Sequence, residues 1–303
     1  HDFSHLDTRR GWLVVVGAAI AAGISFGTIY TFGAFVDAMA EEFDVGLGPT
    51  SVVFGITVFL FFGTAIVSGR VYDKVGPQPL LIVGGLLFCC GVAGTSLVSH
   101  LWQGYIVYGI GCGFGGGLFV APLFALAASW FQRYRAISQG IVATGPGLGT
   151  LLMVPISQEL IDELGWRSTM RLQAVIAGGC FVLALLLIKR APAMALGDPK
   201  LHRRLVVRTA AFRRMAAAST LFSMALIGSF AVLIPFAEDE GIDTRRAGLL
   251  LSMIGAASIV GRLMLTGFAG RLGSVRLFKT AFAGLPVAYG IWLLSLGDTL
   301  PLD

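Results

Sequence analysis

Apolar residues in this chain gather into nine long runs: roughly Trp12–Val36, Ser51–Ser68, Leu80–Val98, Gln103–Trp130, Ile137–Ile156, Leu172–Ile188, Ala216–Phe236, Ala247–Phe268 and Phe278–Leu296. Most approach or exceed the ~20 residues with which a helix crosses a ~30 Å hydrocarbon layer. The gaps between them hold nearly all the charged residues. Within hydrocarbon, backbone polar groups must be bonded internally, and a helix does this within one segment. The pattern therefore predicts an all-α polytopic membrane protein with nine transmembrane helices, embedded in a lipid bilayer.

The loops alternate in charge sign, and this sets the orientation. Seventeen of the 22 Lys and Arg fall before the first run or after the second, fourth, sixth and eighth. The opposite loops carry Asp37, Glu41, Glu42 and Asp44, then Asp162 and Glu163, then Glu238, Asp239, Glu240 and Asp243. Basic loops stay on the cytoplasmic side, so the N-terminus is expected there. The net charge of +5 is thus orientation charge, and no nucleic-acid partner is expected. Hydrophobic content of 56%, charged content of 13% and a mean hydropathy of +0.82 agree with a membrane class. Cys89, Cys90, Cys112 and Cys180 all lie within runs, which leaves neither a disulfide framework nor a zinc spacing. No metal or other cofactor is expected. The first run is too long for a cleavable signal peptide. A pI of 9.2 and glycine-rich spans point to a bacterial inner membrane, and a eukaryotic plasma membrane would read similarly.

Six runs precede a basic segment containing Pro192, Gly197 and Pro199, and three follow it. The expected organisation is a six-helix bundle over 11–188, a cytoplasmic linker over 189–214 and a second, three-helix bundle over 215–303. That 6 + 3 count reads as part of a 6 + 6 protein. An internal repeat supports this: Gly69-Arg70-Val71-Tyr72-Asp73-Lys74-Val75-Gly76 follows the second run, and Thr266-Gly267-Phe268-Ala269-Gly270-Arg271-Leu272-Gly273 follows the eighth. Repeats of six spans are a transporter device.

Gly69, Asp73, Lys74 and Gly76 resemble the G-x-x-x-D-(R/K)-x-G loop of the major facilitator superfamily. The glycines are expected to make a tight turn, and the acid to cap a helix and pair with a base across the seam between halves. A narrower resemblance lies in Trp130-Phe131-Gln132-Arg133-Tyr134-Arg135 running on to Gly140, Gly145 and Gly149. It is similar to the fourth-to-fifth-helix signature of the monocarboxylate transporter and oxalate–formate antiporter group. Gly11-Trp12, Gly23 to Gly27 and Gly165-Trp166-Arg167 fit the same group. Gly140, Gly145 and Gly149 make a smooth face suited to sliding or to close packing. Loops around Asp73, Arg133 and Arg135 are expected to gate the cytoplasmic side.

Arg262 is the one charged residue well inside a run. A cation there costs at least ~2.5–3.5 kcal/mol on insertion scales and marks a functional site by default, although a long side chain near a helix end also snorkels. The resemblance implies that Arg262 grips a substrate carboxylate. Tyr30, Ser258 and Thr144 are candidate polar contacts, and Phe119, Phe222 and Phe230 a candidate apolar wall. No Asp, Glu or His stands mid-run. The proton-coupled members of the group carry an aspartate where Ser258 stands and a lysine where Tyr30 stands. Exchange or uniport is therefore expected over proton symport. No HExxH, nucleophile–His pair or phosphate loop points to an enzyme. The expected function is a secondary transporter, monomeric, moving small mono- or dicarboxylates by alternating access. Alternatives are a non-transporting sensor or fragment, or a carrier for a different small solute.

Overall fold

The computed structural model describes residues 7–190, 209–239, 253–262 and 273–296, with Gly241, Leu249 and Met264 as isolated positions. Among the described residues the secondary structure is helical throughout, without strands. The first span joins α1 (Arg9–Tyr30), a 3-10 stretch Thr31–Phe35 and α2 (Val36–Glu42). Next come α3 (Leu47–Val75) and α4 (Pro77–Thr95). The fourth span joins α5 (Leu101–Gly104), a π-helical stretch Tyr105–Ile110 and α6 (Gly111–Ser129). α7 (Arg135–Leu164) and α8 (Trp166–Leu187) complete six helices long and apolar enough to cross a membrane. The last three apolar runs hold α9 (Ala210–Asp239), α10 (Met253–Arg262) and α11 (Ser274–Leu296). Most of the 189–214 linker, and the repeat after the eighth run up to Leu272, lie outside the described residues.

Several helices outrun their apolar cores. The second run predicts Ser51–Ser68, yet α3 spans 29 residues, about 44 Å at 1.5 Å per residue. The apolar run reports hydrocarbon depth only; beyond it, water and headgroups satisfy the flanking turns. This corrects one expectation. Gly69, Asp73 and Lys74 are not a loop but the last turns of α3, and the turn is Gly76 alone. Gly76 stands at φ +84, which glycine adopts without strain, and Pro77 opens α4 where its missing N–H costs nothing.

Glycine sets how closely the helices pack. On α6, a methyl group at Gly115 would lie 2.7 Å from the Gly84 oxygen on α4, and one at Gly113 would lie 2.6 Å from the Thr57 oxygen on α3. The most extensive pairing, α1 on α7, works the same way. A methyl at Gly23 would meet the Gly145 oxygen at 2.9 Å, and one at Gly149 would collide with the Gly23 carbonyl. Without a hydrophobic drive between helices, such backbone-to-backbone approach supplies the packing. Buried hydroxyls are absorbed locally: Ser25 donates to Ala21 O, Thr57 to Val53 O and Thr95 to Gly91 O, at 2.7 to 2.8 Å.

Candidate functional site

Tyr30 and Arg262 converge from opposite halves of the chain. The contacts fix the helix directions. Gly145 meets Ala19 and Gly149 meets Gly23, so α1 and α7 run parallel. Gly147 meets Ile259 while Gly255 meets Leu151, so α10 runs antiparallel to both. Side chains lean toward their helix N-terminus, so Tyr30 and Arg262 lean toward each other along the bundle axis. Ser258 lies one turn before Arg262, on the same face of α10, and is half-buried.

The glycines of α7 face two ways. Gly145 and Gly149 are locked against α1, and Gly140 is half-buried. Gly147, about 200° round the helix from Gly145 at 100° per residue, is instead the contact with the second half: a methyl there would lie 2.9 Å from the Gly255 oxygen. The seam between halves thus runs through Gly147 and Gly255, which sequence reasoning passed over. α7 is a thin spacer between the helices bearing Tyr30 and Arg262.

Other candidates fall elsewhere. Phe119 is fully buried among α4, α6 and α8, edge-on to Phe181 at 5.3 Å and against Gly84. In this conformation that ring packs within the core of the first six helices. The aromatic beside Tyr30 is Phe26, one turn earlier, at 5.6 Å, with Phe61 of α3 edge-on at 5.1 Å. An i, i+4 relation to Tyr30 is the signal that finds it. Thr144 is buried and its hydroxyl is spent on Ile141 O at 2.7 Å. Phe222 packs on Phe282 of α11 at 5.2 Å; the side chain of Phe230 lies outside the described residues.

Each end of the first six helices is tied. At the Arg9 end, the Asp7 carboxylate accepts from the backbone N–H groups of Arg133 and Tyr134, at 3.3 and 3.5 Å. Trp12 packs on Phe131 at 4.6 Å, and the Arg133 guanidinium lies 5.5 Å from the Tyr134 ring centre. Asp73, Lys74, Arg133 and Arg135 are all exposed there, and among the described residues Asp73 makes no ion pair. At the opposite end Arg167 donates to Glu42 at 2.7 Å and to the carbonyls of Ser96 and Val98 at 2.8 and 2.7 Å. It also lies 4.4 Å over the Trp166 ring. One guanidinium joins three segments. Charged hydrogen bonds of this kind are worth about 1.5–3 kcal/mol, but Arg167 and Glu42 are 29% and 43% exposed, so screening takes most of that. Arg167→Gln is expected to cost about 1 kcal/mol, a drop of roughly 2–4 °C in detergent thermal melts. An unchanged melt would show the clamp to be inconsequential.

Against known proteins, the chain is 28% identical over 286 residues to the MFS-type transporter pynF of Aspergillus niger, covering 93% of this chain and 66% of that protein. It is 27% identical over 299 residues to human monocarboxylate transporter 11, covering 96% and 63%. The chain therefore spans slightly under two thirds of the length of these relatives. Among solved structures, the peptide transporter POT crystallised with sulfate superposes with a TM-score of 0.54 at 16% identity, over 73% of this chain and 46% of that one, a likeness of fold alone. The profile of the Major Facilitator Superfamily matches residues 18–302, and the chain belongs to that family.

Proposed function

We propose that this chain forms part of a secondary transporter that moves small mono- or dicarboxylates across a membrane by alternating access, as an exchanger or uniporter rather than a proton symporter. The observation that carries this reading is the close approach of α7 and α10 at Gly147 and Gly255, which with the helix directions turns Arg262 and Tyr30 toward each other across the two halves. A planar guanidinium holds both oxygens of a carboxylate through parallel bonds, and a phenol adds a third donor. Ser258 lies on the same side of α10, while the half-buried Phe26 offers an apolar face to a short carbon skeleton. Relatives named monocarboxylate transporters support the carboxylate class.

The proposed units are the six-helix bundle of 11–188, the linker 189–214 and the second bundle from 215. Rocking is proposed to occur at the Gly147–Gly255 seam, with Asp73, Lys74, Arg133 and Arg135 closing the cytoplasmic side. Thr144, and Phe230 on α9, stay candidates for contacts formed in another conformation. The proposed setting is a bacterial inner membrane with the N-terminus cytoplasmic.

The test is uptake of labelled lactate, pyruvate, formate and oxalate into proteoliposomes, with and without preloaded unlabelled anion. Exchange predicts uptake that preloading stimulates and an imposed proton gradient leaves unchanged. Uptake driven by the proton gradient would overturn the coupling assignment. Absence of flux for all four anions would overturn the substrate class.

A further inference from the structure

Two departures from α-helical geometry touch through Phe32 and Tyr108. The first span leaves α geometry at Tyr30, passes through the 3-10 stretch Thr31–Phe35 and resumes in α2. The fourth span carries the π-helical stretch Tyr105–Ile110. Breaks of 3-10 and π geometry within a long helix mark hinges and functional sites more often than regular helix does.

Tyr108 links the two. Its hydroxyl donates to the carbonyl oxygen of Thr28 at 3.1 Å, and its ring lies 4.7 Å from Phe32. Tyr108 is 1% exposed, and Thr28 and Phe32 are both 0% exposed. A second hydroxyl serves the same joint, with Thr31 donating to Gly27 O. Where a helix tightens from one bonding pattern to another inside an apolar layer, a carbonyl left without a donor costs its full desolvation.

Thr28 and Phe32 flank Tyr30 by two residues on either side. Residues two apart lie about 200° apart around an α-helix and about 240° apart in a 3-10 stretch, so the Phe32 ring that meets Tyr108 stands on a different side of the span from Tyr30. We propose that Tyr108 is a positioning residue: it holds the joint at Thr28 and Phe32 and thereby fixes where the Tyr30 hydroxyl stands relative to Arg262. The assignment rests on the reading of Tyr30 as a substrate contact.

The experiment compares Tyr108→Phe, Tyr30→Phe and the double variant of the full gene product in proteoliposomes, using whichever of the four anions is transported. Tyr108→Phe keeps the ring against Phe32 and removes one hydrogen bond. It is expected to raise KM roughly three- to tenfold, the range of one neutral hydrogen bond, with Vmax little changed. In the Tyr30→Phe background it is expected to add nothing, because it acts through Tyr30. Hydrogen–deuterium exchange is expected to accelerate across residues 28–36 and to stay unchanged in the other helices.

Wild-type KM in Tyr108→Phe overturns the proposal. So does an additive double variant, or a loss of Vmax and melting temperature at constant KM, which a plain packing role would produce. Tyr30→Phe with wild-type KM overturns the substrate-contact reading and the proposal with it. If protection of 28–36 is unchanged in Tyr108→Phe, the grip itself is refuted whatever transport does.

Discussion

Arg262→Gln is expected to lower carboxylate exchange by about two to three orders of magnitude while leaving expression and melting temperature intact. The direction on stability follows from where the residue stands. A guanidinium within an apolar run costs ~2.5–3.5 kcal/mol to insert, so a neutral amide of similar length relieves a burden. The effect on transport is opposite in sign. Removing one member of a desolvated, hydrogen-bonded charge pair typically costs about 2–5 kcal/mol, and each 1.4 kcal/mol is tenfold. Arg262→Lys keeps the charge but loses the planar fork, so it should recover part of the rate and little of the discrimination between carboxylates and other anions. Tyr30→Phe should fall well short of either, at about tenfold or less, since it forfeits one neutral donor. Initial counterflow rates at matched protein incorporation measure all three. Full flux in Arg262→Gln would return Arg262 to a snorkelling role at the helix end.

Arg262 is legible as a candidate because a charge inside an apolar run is conspicuous in any window. Its partner was only half legible. Tyr30 stood out as a hydroxyl on the first span, but its convergence with Arg262 depends on α7 lying between α1 and α10 with glycine on both faces. That is a tertiary fact. The choice between Phe119 and Phe26 shows the same limit. In a soluble amphipathic helix the polar face tells core from solvent. In these helices apolar residues face lipid, core and substrate path alike, so periodicity cannot say which aromatic lines a cavity. The α3 motif is a third case: Gly69, Asp73, Lys74 and Gly76 were visible as a group, yet only Gly76 breaks the helix. The spacing of Gly145, Gly147 and Gly149 placed them on different sides of α7, but what each side meets had to come from packing.

The strongest structural consequence of that packing is expected at Gly149. A methyl group there would collide with the Gly23 carbonyl, and the Gly27 backbone N lies close behind it. Both obstacles are backbone of α1, so no rotamer change makes room, and the helices must part. Overpacking a filled interior costs about 1–3 kcal/mol even where side chains yield, so Gly149→Val is expected to exceed that range and to abolish the folded, monodisperse protein. Gly179→Val supplies the control, because a methyl at Gly179 on α8 meets nothing within 4 Å. It should melt within a degree or two of wild type, the scale of about 0.5 kcal/mol for an uncrowded surface change. Gly147→Ala tests the other face of the same helix. It opens the seam to α10 without disturbing α1, so it should spare the melting temperature more than Gly149→Val does and reduce transport by moving Arg262 away from Tyr30. Thermal melts followed by size-exclusion profiles order the three variants. If Gly149→Val melts with Gly179→Val, α1 and α7 are not in backbone contact, and α7 no longer sets the gap between Tyr30 and Arg262.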